Sequence, residues 1–181
     1  MPSLLQAHRL TSIDVHLNCG IRVEQSFLDA GYQPRRQEYQ ARGKSFANIE
    51  AEIAGQDDPQ DIVIIGAHYD AARGSPGAND NASGIAALLT LAHSFFDKQI
   101  SRTLRFVAFT NEERPFLRTA WMGSRVYARR CRERAENVPA MLSLETIGYC
   151  SQQREANDRY PVKHDCSSHS GGSITVGHRY C

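Results

Sequence analysis

Apolar residues along this chain change their spacing several times, and each change marks an element. From Ile62 to Ile65 they run unbroken, a β-branched stretch of the kind found in a parallel strand covered on both faces. Leu104–Phe109 (LRFVAF) and Ala140–Leu144 (AMLSL) read as further buried strands. Near Ile49, Ala51 and Ile53 the spacing drops to two, with Glu50 and Glu52 between, so residues 47–54 form a strand. Residues 35–41 precede it across a turn at Gly43 and Lys44, which suits a hairpin. Helical spacing of three and four appears at Ile85, Leu88, Leu89, Ala92, Phe95 and Phe96, one apolar stripe. A second helix is expected over Ile21–Leu28, ended near Gly31. A third covers Thr119–Arg134, with Ala120, Tyr127 and Cys131 inward and Arg125, Arg129, Arg130, Arg132 and Arg134 left to water. Strands alternating with helices predict a doubly wound α/β sheet, in which sites form beyond the carboxyl ends of the strands.

Those ends hold the polar chemistry. His68 and Asp70 follow the first buried strand at i and i+2, on one face of an extended segment. A loop rich in Gly, Ser, Pro and Asn then brings Asp80 and Asn81 to the start of the apolar helix. LRFVAF runs into Glu112 and Glu113, and AMLSL into Glu145. Carboxylates crowded at one sheet edge repel one another unless protonated or neutralised by cations. One imidazole with several carboxylate oxygens suits zinc, with cobalt or manganese as alternatives, and a carboxylate shared by two ions is the layout of a two-metal hydrolase. Each residue taken singly has a blander reading. His68 could be a strand-end histidine satisfied by a neighbour, Asp80 a helix cap, Glu112 and Glu113 a solvated pair, and Glu145 the partner of an arginine. Their convergence favours the metal. Asn79 and Asn81 read as loop-shaping residues, His93 as structural, and the arginines after position 124 as a solvated face.

Composition narrows the classes without choosing among them. With 181 residues, 41% of them hydrophobic, the chain supports one domain with a real core. A formal net charge of +1 gives no reason to expect nucleic acid or an anionic membrane as partner. No apolar run approaches the roughly 20 residues of a spanning helix, and MPSLLQAHRL lacks the features of a signal peptide, so the chain as it stands is expected in the cytosol. The 5 cysteines are odd in number and show no CxxC spacing, which points to free thiols.

GAHYD, PGANDNASG, NEE and LSLETIGY, in that order, resemble the motifs of the zinc-dependent aminopeptidases of metallopeptidase family 28, and the resemblance spans residues 27–161. It implies a three-layer α/β fold, with a mixed, mostly parallel sheet and helices on both faces, as domain 1–161. It also implies roles. His68 resembles the imidazole ligand of one zinc, Asp70 the carboxylate that fixes its tautomer, and Asp80 the bridge between two zinc ions. Glu112 is similar to the general base, Glu113 to a ligand of the other zinc, and Glu145 stands where the family places a carboxylate, often Asp. The implied substrate is a peptide or amino-acid amide. The family completes its second zinc with a histidine farther downstream, whereas residues 162–181 diverge, lack apolar periodicity and are expected to be disordered. His164, His169 and His178 are the available substitutes there, and the fold is expected to be incomplete at that end. Two alternatives stand beside the aminopeptidase: a single-zinc, glutaminyl-cyclase-like enzyme, and a truncated member that turns over nothing.

Overall fold

The structure, a computed structural model, describes residues 12–148 and 173–178, of which 12–17 and 173–178 are described by their backbone. The elements are α1 (Ser12–Asp29), β1 (Arg35–Ala41), β2 (Lys44–Ile53), β3 (Asp58–His68), α2 (Gly84–Phe95), β4 (Arg102–Phe109), α3 (Gly123–Glu133), β5 (Asn137–Glu145) and β6 (Ser173–His178). The strands form one sheet in the order β1-β2-β4-β3-β5-β6. β3 lies parallel to β4 on one side and to β5 on the other, while β1/β2, β2/β4 and β5/β6 are antiparallel. The apolar runs of β4, β3 and β5 are therefore neighbours in the sheet.

Period-two alternation splits these strands between two cores. Ile65 and Ala67 of β3 with Leu104, Phe106 and Ala108 of β4 pack against Val23 and Phe27 of α1 and Leu88 and Ala92 of α2. Ile62 and Ile64 with Val107 and Phe109 face the opposite way, onto Tyr127 and Cys131 of α3. Burying a side chain such as Phe106, which is fully buried, is worth about 1.5–3 kcal/mol over leaving it in water. The helices thus lie in two layers, with the sheet between them.

α1 runs longer than expected, and only one of its apolar faces is used. Val23 and Phe27, four apart, are buried, while Ile21 and Leu28 remain 47% and 43% exposed. Its end is the expected one. Gly31 has φ +94 and donates to the Leu28 carbonyl, and Tyr32 donates to that of Phe27, a paired closure that a left-handed glycine permits. α3 begins at Gly123 rather than at Thr119, which leaves Ala120 exposed instead of inward.

Arg130 also departs from the expected solvated face. It pairs with Glu50 of β2, which is buried and also accepts from the Tyr127 hydroxyl at 2.6 Å and from Arg35 at 3.0 Å. Arg105 of β4, nearly buried, reaches Glu52 at 2.6 Å and Glu136 at 2.8 Å. The polar side of β2 therefore lies beneath α3, where each buried charge meets its opposite.

Within 162–181, β6 forms the sheet's edge strand, where no regular element was expected. Its sequence SITVGH holds three successive residues of which two are β-branched aliphatics and one is threonine, a pattern that fits a strand. Ser173 pairs with Glu145 and His178 with Ala140. No helix among the described residues is long and apolar enough to cross a membrane.

Candidate metal centre

The carboxyl ends of β3, β4 and β5 and the loop before α2 meet at one edge of the sheet. His68, the last residue of β3, is 3% exposed. Its Nδ1 lies 3.0 Å from the Asp70 carbonyl oxygen. Because a carbonyl only accepts, Nδ1 carries the proton, and the lone pair of the neutral ring sits on Nε2. Nε2 is buried and has no hydrogen-bond partner among the described residues. It faces Asp80 Oδ1 at 3.0 Å, Glu145 Oε2 at 3.4 Å and Glu112 Oε2 at 4.0 Å.

His68, Asp80 and Glu145 each offer a donor atom, all within 4.8 Å of one another. Tetrahedral zinc with bonds of about 2.0–2.1 Å sets its ligand atoms about 3.4 Å apart, and the distances of Asp80 and Glu145 from His68 Nε2, 3.0 and 3.4 Å, are of that order. Glu112 stands beside this group, and Glu113 lies outside it. Three donors, one of them an imidazole nitrogen among carboxylates, are the chemistry that a proton or a divalent cation satisfies.

Backbone contacts hold these groups in place. Asp70 is 2% exposed and accepts from the backbone N–H groups of Glu112 at 3.1 Å and Glu113 at 3.0 Å, one on each carboxylate oxygen. It therefore ties the end of β4 to His68. Asn111, whose φ is +59, makes the turn that presents those two N–H groups, a left-handed conformation that asparagine tolerates. Asp80 and Asn81 interrupt the helical path of residues 78–83 with φ, ψ of −111, 92 and −136, 39. Asp80 is thereby turned toward His68. The capping contact belongs to Asn81, whose Oδ1 accepts from Gly84 N and Thr146 N, both at 3.2 Å, while its Nδ2 donates to the Leu144 carbonyl at 2.9 Å. A Cβ on Gly84 would sit 2.4 Å from Asn81 Oδ1 and 2.5 Å from the Leu144 carbonyl, so only glycine admits this approach.

Electrostatics follow from the crowding. Burial opposes the charged form of His68, yet the carboxylates of Asp70 and Glu145 outweigh it and push the imidazole up to about 11. In the metal-free protein a proton on His68 is the internal countercharge. Burial of Glu112, with Glu145, Asp70 and Glu113 nearby and His68 opposing, pushes its carboxyl up to about 7. Glu113 is raised by burial and by the charge of Asp80.

The roles expected from sequence thus map onto places as follows. His68, Asp80 and Glu145 come together, Glu112 faces them, Asp70 supports His68, and Glu113 sits near Asp80 but apart from the three donors. Of the tail histidines, His178 pairs with Ala140, five positions down β5 from Glu145, about 17 Å at strand rise. Its backbone lies toward the other end of the strand. His164 and His169 lie outside the described residues. Asn81 and Asn111 are the residues whose importance the sequence understated. The NDN and NEE triplets signalled loops but not which strand each side chain would bind.

Residues 48–170 match the model of peptidase family M28. The chain belongs to this family. Among curated relatives, it is 39% identical over 150 residues to the uncharacterized protein YfbL of Escherichia coli (strain K12), covering 77% of this chain and 45% of that one. It is 30% identical over 135 residues to a probable zinc metalloprotease of Pyricularia oryzae, covering 70% and 25%. This M28 chain thus spans less than half the length of these relatives. Two solved structures share its fold: a Zn-dependent exopeptidase from Parabacteroides distasonis, with TM-score 0.57, 21% identity and coverage of 73% and 53%, and the glutaminyl cyclase of Porphyromonas gingivalis, with TM-score 0.60, 19% identity and coverage of 73% and 51%. The expected α/β architecture is that of these neighbours.

Proposed function

We propose that this M28 chain carries the catalytic half of a zinc-dependent hydrolase of the aminopeptidase type, which removes N-terminal residues from peptides or amino-acid amides. The observation that carries this reading is the buried Nε2 of His68, without a hydrogen-bond partner among the described residues and facing Asp80 and Glu145. His68, Asp80 and Glu145 would hold one zinc, and Asp80 with Glu113 would contribute to a second. Zinc there would lower the pKa of water toward about 7 and polarise the scissile carbonyl. Asp70 keeps the proton of His68 on Nδ1, so that Nε2 stays available. Glu112 takes a proton from the attacking water and delivers it to the leaving amine. Its carboxylate faces His68 Nε2 at 4.0 Å, beside the donors that would hold the ion.

The test combines zinc content by mass spectrometry with release of a chromogenic amine from amino-acid amides. Bound zinc with amine release is the expected result, and a metal-free, silent protein rules the reading out. A second reading, a single-zinc enzyme of the glutaminyl-cyclase kind, is favoured by one observation: among the described residues a single three-donor group forms, and Glu113 stands outside it. One ion per chain and cyclisation of an N-terminal glutamine would select it. A metal-binding chain that catalyses neither reaction would correspond to the inactive alternative.

A further inference from the structure

Three arginines that the metal centre does not use share its cleft. The cavity of about 620 Å³ that opens on His68, Glu112 and Glu145 is also lined by Arg125, Arg129 and Arg132 of α3. At about 100° per residue these three fall within an arc of about 60° on the helix, away from Tyr127 and Cys131, which α3 buries.

Other arginines of this segment have acidic partners: Arg130 pairs with Glu50, and Arg134 lies 3.9 Å from Glu136. Among the described residues no carboxylate pairs with Arg125, Arg129 or Arg132. Arg125 donates to the Arg118 carbonyl at 2.8 Å and Arg129 to that of Ala120 at 3.4 Å, which leaves most of each guanidinium's five donors free. Phe109, Met122 and Met141 give the same cleft an apolar lining. Arg125, Arg129 and Arg132 are exposed on the cleft wall, and guanidinium groups beside an apolar surface suit a carboxylate guest because the planar fork meets its charge with paired donors.

Spacing points to an extended ligand. The N–H of Gly123 donates to the Thr110 carbonyl, so α3 starts beside the end of β4 and runs away from the metal centre. Arg125 and Arg129 are about 6 Å apart along the axis, close to the separation of alternate side chains on an extended peptide, about 6.6 Å.

We propose that Arg125, Arg129 and Arg132 form a subsite for carboxylates of the substrate peptide downstream of the bond cleaved, so that acidic peptides are preferred. This rests on the hydrolase reading above, and the test separates the two. Peptides beginning with the same alanine and continuing with either alanines or alternate glutamates are compared on the zinc-loaded protein, each as free acid and as C-terminal amide. The acidic series is expected to have kcat/KM higher by about tenfold or more, through KM. That ratio falls toward one in the Arg125→Gln/Arg129→Gln double variant and is partly restored by Arg129→Lys. Preference for the glutamate series assigns the subsite to side chains, and preference for the free acid over the amide assigns it to the C-terminal carboxylate.

Fluorescence anisotropy of the labelled peptides supplies a readout independent of turnover. Should no peptide be cleaved, tighter binding of acidic peptides that the double variant loses upholds the subsite while the hydrolase reading fails. Equal affinity for both series and for free acid and amide alike, or a preference unchanged in the double variant, overturns the subsite whatever the activity.

Discussion

Two regions of this molecule gather buried charge, and they resolve it in opposite ways. Beneath α3, Glu50 is surrounded by Arg35, Arg130 and the Tyr127 hydroxyl, and Arg105 is held between Glu52 and Glu136. Burial raises the Glu50 carboxyl, but Tyr127 and Arg130 more than offset it and hold it below its ordinary value. At the strand ends, Asp70, Asp80, Glu112 and Glu145 surround one imidazole, and the Glu112 carboxyl is driven upward instead. Similar side chains on one sheet therefore carry opposite shifts. The first cluster is closed and needs nothing from outside; the second has its countercharge supplied by a proton or by a cation. The contrast separates a group whose charges are paired within the fold from a group left with excess negative charge.

The sharpest break between the regions should come from Glu112→Gln. A general base contributes about 10²–10⁴-fold, so amide hydrolysis should fall by roughly that factor while zinc binding and melting temperature stay near wild type. A near-normal rate would remove Glu112 from the base role. The matching change in the closed cluster is Glu50→Gln, which strands Arg130. Removing one partner of a buried pair costs about 3–5 kcal/mol, and chemical denaturation should show a loss of that order with no change in metal affinity. The pH sign is fixed by the direction of the shift. Because the folded-state pKa of Glu50 is lowered, its contribution is present above its ordinary 4.5 and is lost as pH falls through the lowered value. The gap between wild type and Glu50→Gln should therefore narrow below about pH 4.5; a constant gap down to acid unfolding would mean that the pair's charge is not what stabilises.

These two regions also differ in how legible they were from sequence. The cluster at the strand ends could be read because its residues lie at the ends of unmistakable apolar runs, and topology then brings strand ends together. The charge cluster could not, because Glu50, Arg105 and Arg130 are far apart in sequence. Glu50 and Arg130 look like solvent-facing positions on their own elements, Arg105 stands alone in an otherwise apolar strand, and only the packing of α3 across β2 and β4 reveals their partners. Within the site, the chain placed His68, Asp80 and Glu145 at converging tips, but the distance of Glu113 from that group depends on Asn111 and Asp70, which set the turn after β4. The β6 strand escaped detection since six residues of modest hydrophobicity gain their order from an edge partner, β5, rather than from a pattern of their own.

Zinc addition should sharpen the contrast next. A ligand at 100 times its Kd stabilises by about 2.7 kcal/mol, which for a chain of this size corresponds to about 5–10 °C in Tm. Wild type and Glu50→Gln should show the same rise, and Asp80→Ala or Glu145→Ala should abolish it. Since the cation must displace the proton that the carboxylates hold on His68, the rise should grow as pH increases from 6 to 9. A rise independent of pH, or one that survives loss of both carboxylates, would place the ion elsewhere.

The smallest effect tests how the open region is kept in shape. Asn81 is not a metal donor, yet its side chain joins the loop of Asp80 to the end of β5 through Leu144, Thr146 and Gly84. Asn79 makes a single comparable tie beyond β5, its Oδ1 accepting from Gly148 N at 3.0 Å. If positioning of Asp80 against Glu145 is what Asn81 provides, Asn81→Ala should weaken zinc about tenfold, as the loss of a residue supporting a ligand does. Asn79→Ala should weaken it less, because it leaves the Leu144 and Thr146 contacts intact. Isothermal titration of both variants checks the order. Equal losses would mean that the loop is held by its backbone alone, and that the spacing between Asp80 and Glu145 does not depend on the Asn81 side chain.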